Sequence, residues 1–193
     1  MSFIKTLILT AGIALPTAAT ADWNGWYAGL STGELSNGEF GLEGFSDSDI
    51  DDASTFGGFF GRNSQNGPWV FGFEVELLSA DDTPVDSDRD ENLASPIIDL
   101  KSRIGYAAGS IMAYGVFGSS IMSVEGPITD VAGAGFALGA GLEYQVADQF
   151  MIGVEYLTRQ TTGEAEVDLG FITTDRDVDI DADTVSLRAA FKF

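Results

Sequence analysis

The sequence contains no histidine and no cysteine among its 193 residues. The absence of histidine removes the commonest general base and the commonest transition-metal ligand, and it excludes hydrolase sites that pair histidine with serine or aspartate. The absence of cysteine excludes disulfides, so the sheet, the core or a lipid environment must stabilise the fold. Proline is also scarce, with 5 residues, whereas glycine is abundant with 24. Because 45% of the residues are hydrophobic, the composition is that of a folded chain.

Basic residues are few: 9 lysines and arginines stand against 30 aspartates and glutamates, for a net charge of −21. Such a chain is repelled by nucleic acid, and by an anionic membrane surface unless divalent cations intervene. We therefore predict no nucleic-acid partner.

Long hydrophobic runs are missing apart from one near the start. Residues 1–21 carry one charge at Lys5, an apolar run over 6–15, Pro16, and an A-x-A pattern that ends at Ala21. This run is too short for a membrane-spanning helix, which requires about 20 apolar residues. The pattern predicts a secretory signal peptide over residues 1–21, cleaved before Asp22.

Apolar and polar residues alternate in eight blocks of the remaining chain, the pattern of strands with two unlike faces. The blocks cover residues 26–33, 55–63, 69–79, 97–107, 110–122, 134–146, 150–160 and 182–193. Short joins at 64–68, 108–109 and 147–149 alternate with long acidic joins near 34–54, 80–96, 123–133 and 161–181. This alternation predicts an up-and-down antiparallel meander whose two ends differ.

The polar faces of these strands carry both charge signs and many glycines, which suits the crowded interior of a narrow barrel. We predict an all-β, eight-stranded, antiparallel up-and-down transmembrane barrel over residues 22–193. The alternative fold is a soluble sandwich whose charged face is its solvent-exposed outside. The predicted interior ion-pair network comprises Glu74, Glu76, Asp99, Lys101, Arg103, Glu143, Glu155, Arg159 and Arg188. Aromatic residues near the short turns predict a girdle at one lipid interface: Trp69, Tyr106, Tyr144, Phe150 and Phe193.

Three segments and the final residue carry a family resemblance: DWNGWYAG at 22–29, GGFFGRN at 57–63, WVFGFE at 69–74, and the terminal Phe193. With them the chain resembles the eight-stranded OmpA/OmpX-type outer-membrane barrels of Gram-negative bacteria, most closely the small porin-family proteins that consist of the barrel alone. The resemblance implies a place in the outer membrane and insertion by the outer-membrane assembly machinery, with Phe191 and Phe193 as the assembly signal. We expect a monomer.

The last two predicted strands are flanked by acidic residues of the parity that faces lipid lower down. These are Glu164, Glu166, Asp168, Asp177, Asp179, Asp181 and Asp183. If the strands keep their register, two acidic rows lie on one outer face just above the bilayer. Such rows could bind Ca²⁺ or Mg²⁺ and so bridge to lipopolysaccharide phosphates; alternatively, they are solvated charges that keep the loops soluble.

The predicted function is structural or surface-interactive, without enzyme activity and without a resident cofactor other than these cations. Paired carboxylates remain on the polar faces, but beside arginine and lysine we interpret them as structural ion pairs. The leading alternative is a narrow channel for ions or small solutes. A soluble periplasmic binding module is a third interpretation.

Overall fold

The computed structural model describes the backbone of residues 21–42, 48–50, 53–81, 95–125, 130–168 and 173–193. Side chains are described over 21–36, 53–80, 96–122, 133–163 and 181–193. The predicted signal peptide, apart from Ala21, lies outside the described residues, as do the middle parts of the predicted long loops. No helix in these ranges is long and apolar enough to cross a membrane.

In the part of the chain that the structure describes, nine antiparallel strands make up one sheet. They are β1 (Gly25–Leu42), β2 (Ser48–Ile50), β3 (Ala53–Asn66), β4 (Trp69–Asp81), β5 (Ser95–Ala108), β6 (Ile111–Glu125), β7 (Asp130–Ala147), β8 (Phe150–Asp168) and β9 (Thr173–Lys192). Strands β3 to β9 pair in chain order, and β1 pairs with both β3 and β9, which closes an eight-stranded barrel. Strand β2 has three residues and pairs with residues 38–40 of β1. The predicted eight-stranded up-and-down barrel is confirmed.

The register around the barrel sets its width. Directly paired residues lead from Trp26 once around the sheet and back to β1 at Ser36, ten residues further along. Eight strands with this stagger are tilted by roughly 35–45° and enclose a space that side chains just fill. The barrel interior is therefore a packed core.

The two ends of the barrel differ, as the sequence predicts. Gly67-Pro68, Gly109-Ser110 and Asp148-Gln149 form two-residue turns at one end, here called the short-turn end. The turn predicted over 64–68 is shorter in the structure because β3 continues to Asn66. Gly67 and Gly109 adopt φ of 61° and 63°, a left-handed conformation that glycine reaches without steric cost.

At the other end the strands run further than predicted. Strand β1 continues to Leu42, β8 to Asp168, and β9 begins at Thr173, so the loops predicted near 34–54 and 161–181 are largely strand. Apolar residues recur at every second position of a strand only where one of its faces meets lipid or a core. Beyond the apolar band the positions of lipid-facing parity become acidic, while backbone pairing between β8 and β9 continues to Asp168 and Thr173.

The distribution of side chains is inverted relative to a soluble protein. Large apolar side chains such as Phe136 on β7 and Leu187 on β9 are exposed by 66% and 64%, whereas Glu143 and Arg188 on the same two strands are buried. A contiguous exposed apolar surface of this extent marks contact with lipid. The soluble-sandwich alternative is therefore wrong.

Candidate functional site

The charged interior of the barrel is the candidate site. All nine residues predicted for it point inward and are buried, with relative exposures of 0–4%. They comprise five acids and four bases, which leaves one excess negative charge if all are ionised. The strands β4, β5, β7, β8 and β9 supply them, so the charges face one another from several walls of the barrel.

These charged residues form two groups, and Lys101 lies at the centre of the larger one. Its ammonium nitrogen is 2.8 Å from Glu74 Oε1 and 2.7 Å from Glu155 Oε1, and it also forms an ion pair with Glu76. Carboxylate oxygens of these three glutamates lie within 4.8 Å of one another, close enough to hold a metal ion. The ammonium group of Lys101 contacts all three, so it supplies the positive charge that a cation would bring.

Arg188 on β9 contacts the same carboxylates from another side. Its Nη2 is 2.6 Å from Glu74 Oε1, and its Nη1 is 2.6 Å from Glu155 Oε1. These contacts lack hydrogen-bond alignment, so Coulomb attraction is their main component. The guanidinium carbon is 4.0 Å from the centroid of the Phe59 ring, and this aromatic face limits where the charge can move.

Arg103 on β5 extends the group towards the short-turn end. Its Nη2 donates to Glu143 Oε1 at 2.6 Å, and its Nη1 lies 3.2 Å from Glu74 Oε2. The guanidinium carbon is 3.9 Å from the centroid of the Tyr114 ring. We call Glu74, Glu76, Lys101, Arg103, Glu143, Glu155 and Arg188 the central ion cluster.

Three hydroxyl groups, none of them on a residue predicted for the site, complete the cluster. Tyr27 Oη accepts from Arg103 at 2.8 Å and donates to Glu74 at 2.9 Å. Tyr114 Oη donates to Glu155 at 2.9 Å, and Ser31 Oγ donates to Glu76 at 2.6 Å. The available signal was parity: these polar groups occupy the inward positions of β1 and β6.

Asp99 and Arg159 form a separate pair, not part of the central ion cluster. Arg159 donates from Nη2 to Asp99 Oδ2 at 2.6 Å and from Nε to Asp99 Oδ1 at 3.1 Å. Its Nη1 donates to Thr184 Oγ1 at 2.6 Å. The predicted network is thus divided into two groups, with no ion pair or hydrogen bond between them among the described residues.

Two interior glycines make room for the two tyrosines. A Cβ on Gly61 would lie 2.5 Å from the Tyr27 ring, and one on Gly141 would lie 2.3 Å from the Tyr114 ring. Both distances are far shorter than a van der Waals contact. These glycines let the phenol groups reach the centre of the barrel.

Trp23 fills the interior at the short-turn end. It is 1% exposed, and its indole N–H donates to the carbonyl of Gly109 at 3.2 Å while its backbone N–H donates to Gln65 at 2.9 Å. Asp22 precedes Trp23 in the chain. A hydrogen bond from the backbone N–H of Asn24 lowers the pKa of the Asp22 carboxyl group, and a second one from the Asn24 side-chain amide has a smaller effect in the same direction. Trp23 belongs to one cluster of buried side chains in the barrel, whose other members are Tyr27, Phe59, Val70, Ala107, Met112, Tyr114, Val116, Ala137, Met151, Leu157 and Ala190.

The aromatic residues predicted for the girdle lie on the outside. Trp69 and Tyr106 pack edge to face with centroids 5.5 Å apart. Phe150 packs on Phe191 at 5.2 Å, and Phe193, which is 63% exposed, belongs to the same surface. Tyr144 is half-buried, paired with Ile111 on one side and Ile152 on the other.

The predicted acidic rows lie on β8 and β9 above the apolar band. The register pairs Glu164 with Asp177, so the two predicted rows share one face of the sheet. Asp181 and Asp183 are half-buried. The side chains of Glu164, Glu166, Asp168, Asp177 and Asp179 lie outside the described residues.

A closed barrel with an apolar exterior, a charged interior and aromatic residues near one rim defines an integral outer-membrane protein. Residues 6–193 match the family described as outer membrane protein beta-barrel domain, and the chain belongs to this family. It therefore lies in the outer membrane of a Gram-negative bacterium. Barrels of this kind have short periplasmic turns and longer extracellular loops. A search of curated protein sequences found no match.

Solved structures show the same fold at low identity. The outer membrane protein AlkL, determined in DMPC bilayers, has a TM-score of 0.60 and 14% identity, with 92% of this chain and 94% of AlkL covered. OprG from Pseudomonas aeruginosa has a TM-score of 0.55 and 11% identity, with 88% and 96% covered. The outer membrane protease OmpT from Escherichia coli has a TM-score of 0.54 and 8% identity, with 93% and 99% covered. The likeness is one of fold alone.

Proposed function

We propose that this protein is a non-enzymatic outer-membrane protein with a structural and surface-interaction role and a closed interior. The observation that carries the proposal is the central ion cluster, in which Lys101 and Arg188 link carboxylates from opposite walls. In a barrel of this width, side chains that meet at the centre leave no wide passage. We infer that it acts as a monomer inserted by the outer-membrane assembly machinery, with Phe191 and Phe193 as the signal.

Opening the interior would require several buried contacts to break together. Lys101 contacts three carboxylates and Arg188 contacts two of the same three at 2.6 Å. Separating one partner from a buried pair costs about 3–5 kcal/mol, because the remaining charge is left unpaired. Trp23 forms a second obstruction at the periplasmic end. Thermal motion alone therefore populates an open interior rarely.

The arrangement of carboxylates argues against catalysis. A general acid or base must reach a substrate, whereas Glu74 and Glu155 are fully engaged with cations and tyrosine hydroxyls. The chain also has no histidine. One structural neighbour is a protease, but at 8% identity that likeness carries no site.

The acidic rows of β8 and β9 are proposed to bind divalent cations and so bridge to lipopolysaccharide phosphates. Their support is the register that pairs Glu164 with Asp177 and the preference of Ca²⁺ and Mg²⁺ for carboxylate oxygens. The test compares thermal unfolding in lipopolysaccharide-containing vesicles with Ca²⁺ or with chelator. Replacing Asp177 and Asp179 with asparagine should abolish the Ca²⁺-dependent gain, while Asp148→Asn in a periplasmic turn should keep it. Equal gains in both variants would exclude these rows.

Planar-bilayer recording tests the closed interior. We expect no sustained discrete openings from the wild-type protein. A Trp23→Ala, Lys101→Ser double variant, which removes both obstructions, is the positive control, provided that it still migrates faster unheated than boiled on a denaturing gel. Sustained discrete openings in the wild type would instead establish the narrow-channel function.

A further inference from the structure

Arg62 stands apart from every other basic side chain that the structure describes. Lys101, Arg103, Arg159 and Arg188 are buried in the interior, and Lys192 is half-buried at the rim, whereas Arg62 is exposed. It lies on the outer face of β3, between its partners Trp26 on β1 and Phe73 on β4. Arg62 is thus a cation on the surface that contacts lipid.

The surroundings of Arg62 are aromatic. Its guanidinium carbon lies 5.3 Å from the centroid of the Trp26 ring. Trp26 stacks on Phe60 with centroids 5.1 Å apart and meets Phe73 edge to face at 5.7 Å. No carboxylate of the described residues forms an ion pair with Arg62, so its charge has a cation–π partner and no anionic one.

The depth of Arg62 identifies what it can reach. Four residues separate it from the turn at Gly67, which places it roughly 12 Å from the periplasmic end at about 3.3 Å per residue along a tilted strand. A charge on the lipid face costs about 2–4 kcal/mol at the midplane and roughly 0–1 kcal/mol near an interface. The long side chain can extend from there to the headgroup region.

We propose that Arg62, Trp26, Phe60 and Phe73 form a seat for one phospholipid of the periplasmic leaflet. The guanidinium binds the lipid phosphate through two parallel N–H···O bonds, a geometry that arginine offers and lysine does not. Trp26 fixes the plane of the guanidinium, and an acyl chain packs on Phe60 and Phe73. The seat depends on the orientation of the barrel in the membrane and is independent of the function proposed for the interior and the loops.

The test is native mass spectrometry of the detergent-solubilised protein titrated with phosphatidylglycerol. Arg62→Gln should weaken binding of the first lipid about tenfold, the effect of losing hydrogen bonds to a charged group. Arg62→Lys should give an intermediate affinity because the charge remains without the two-point contact. Lys192→Gln, which removes a positive charge from the same rim outside the seat, should stay within about twofold of wild type.

Two further lipids distinguish the source of the phosphate. Diacylglycerol, which has no phosphate, should bind without dependence on Arg62, and lipid A should bind through Arg62 more weakly than phosphatidylglycerol does. Unchanged affinity in Arg62→Gln, equal losses in Arg62→Gln and Lys192→Gln, or wild-type affinity in Arg62→Lys would each overturn the seat. Heat-modifiable migration of every variant confirms that the barrel is folded.

Discussion

Replacing Arg188 with methionine tests whether buried charge stabilises this barrel. Methionine is uncharged and shorter than arginine, so the substitution removes two contacts of 2.6 Å, to Glu74 and Glu155, together with the contact of the guanidinium with the Phe59 ring. The central ion cluster has four carboxylates and three cations. In the variant two cations, Lys101 and Arg103, remain to balance four carboxylates.

The expected loss follows from two opposing terms. At an effective dielectric constant of about 20, each contact at this distance has a Coulomb energy of roughly 6 kcal/mol. Removing Arg188 also removes its desolvation penalty, which is several kcal/mol. Losing one partner of a buried pair has a net cost of about 3–5 kcal/mol, and we expect Arg188→Met to fall in this range.

The assay is reversible urea unfolding in lipid vesicles, followed by tryptophan fluorescence. A loss of this size should lower the urea midpoint by roughly 1–5 M if the slope is about 1–3 kcal/mol per M, which is typical of small domains. Lys192→Met is the matched control, because Lys192 is on the same strand and its ammonium group donates to the backbone oxygen of Asp22, with no ion pair to any carboxylate of the described residues. It should cost no more than about 1 kcal/mol.

Arg188→Lys tests whether the positive charge by itself stabilises the cluster. It keeps the charge but not the reach, so its stability should lie between that of wild type and Arg188→Met. If Arg188→Met unfolds within 1 kcal/mol of wild type, roughly the cost allowed for the control, the ion pairs contribute nothing net. In that event the reasoning from buried charge is refuted, and the sheet and lipid contacts alone stabilise the barrel.

Three other outcomes are expected. Gly141→Ala should lower the urea midpoint, because its Cβ would lie 2.3 Å from the Tyr114 ring, whereas Gly115→Ala, whose Cβ would meet only a backbone oxygen at 4.0 Å, should not; equal midpoints would contradict the steric account. Trp23→Ala removes a buried aromatic side chain and should cost about 3–5 kcal/mol in the same assay, and a loss below that of Lys192→Met would show that the indole is not packed. Deleting Phe193 should reduce the amount of folded barrel in outer-membrane fractions, and a normal amount would refute its role as an assembly signal.

Parity could be read from the sequence because side chains alternate with a period of two whatever the strand pairs with. Glu74, Lys101 and Arg188 stand opposite apolar neighbours such as Phe73, Leu100 and Leu187, so their shared inward direction followed from local order alone. The outer parts of β8 and β9 were interpreted as loops because their polarity is reversed. Over residues 164–168 and 177–183 the positions of lipid-facing parity are acidic and the alternate positions are apolar, so the alternation remains but no apolar row faces lipid.

Partners within the interior could not be read in this way. A shift of two residues along one strand preserves parity but moves a side chain by about 7 Å, enough to exchange one carboxylate for another. That Arg159 pairs with Asp99, whereas Lys101 contacts Glu155, depends on register accumulated over several strands. Tyr27 and Ser31 were missed because parity places their hydroxyl groups inward but does not identify the acceptors of their hydrogen bonds.

The sequence by itself therefore determined the number of barrel strands, the direction of their faces and the membrane environment, all of which rest on local periodicity and composition. The tertiary structure decided which charges meet, how Trp23 packs inside the short-turn end and where Arg62 lies among aromatic rings. Those features depend on closure of the sheet with a stagger of ten residues between Trp26 and Ser36. Closure is a property of all eight strands together, and no single segment encodes it.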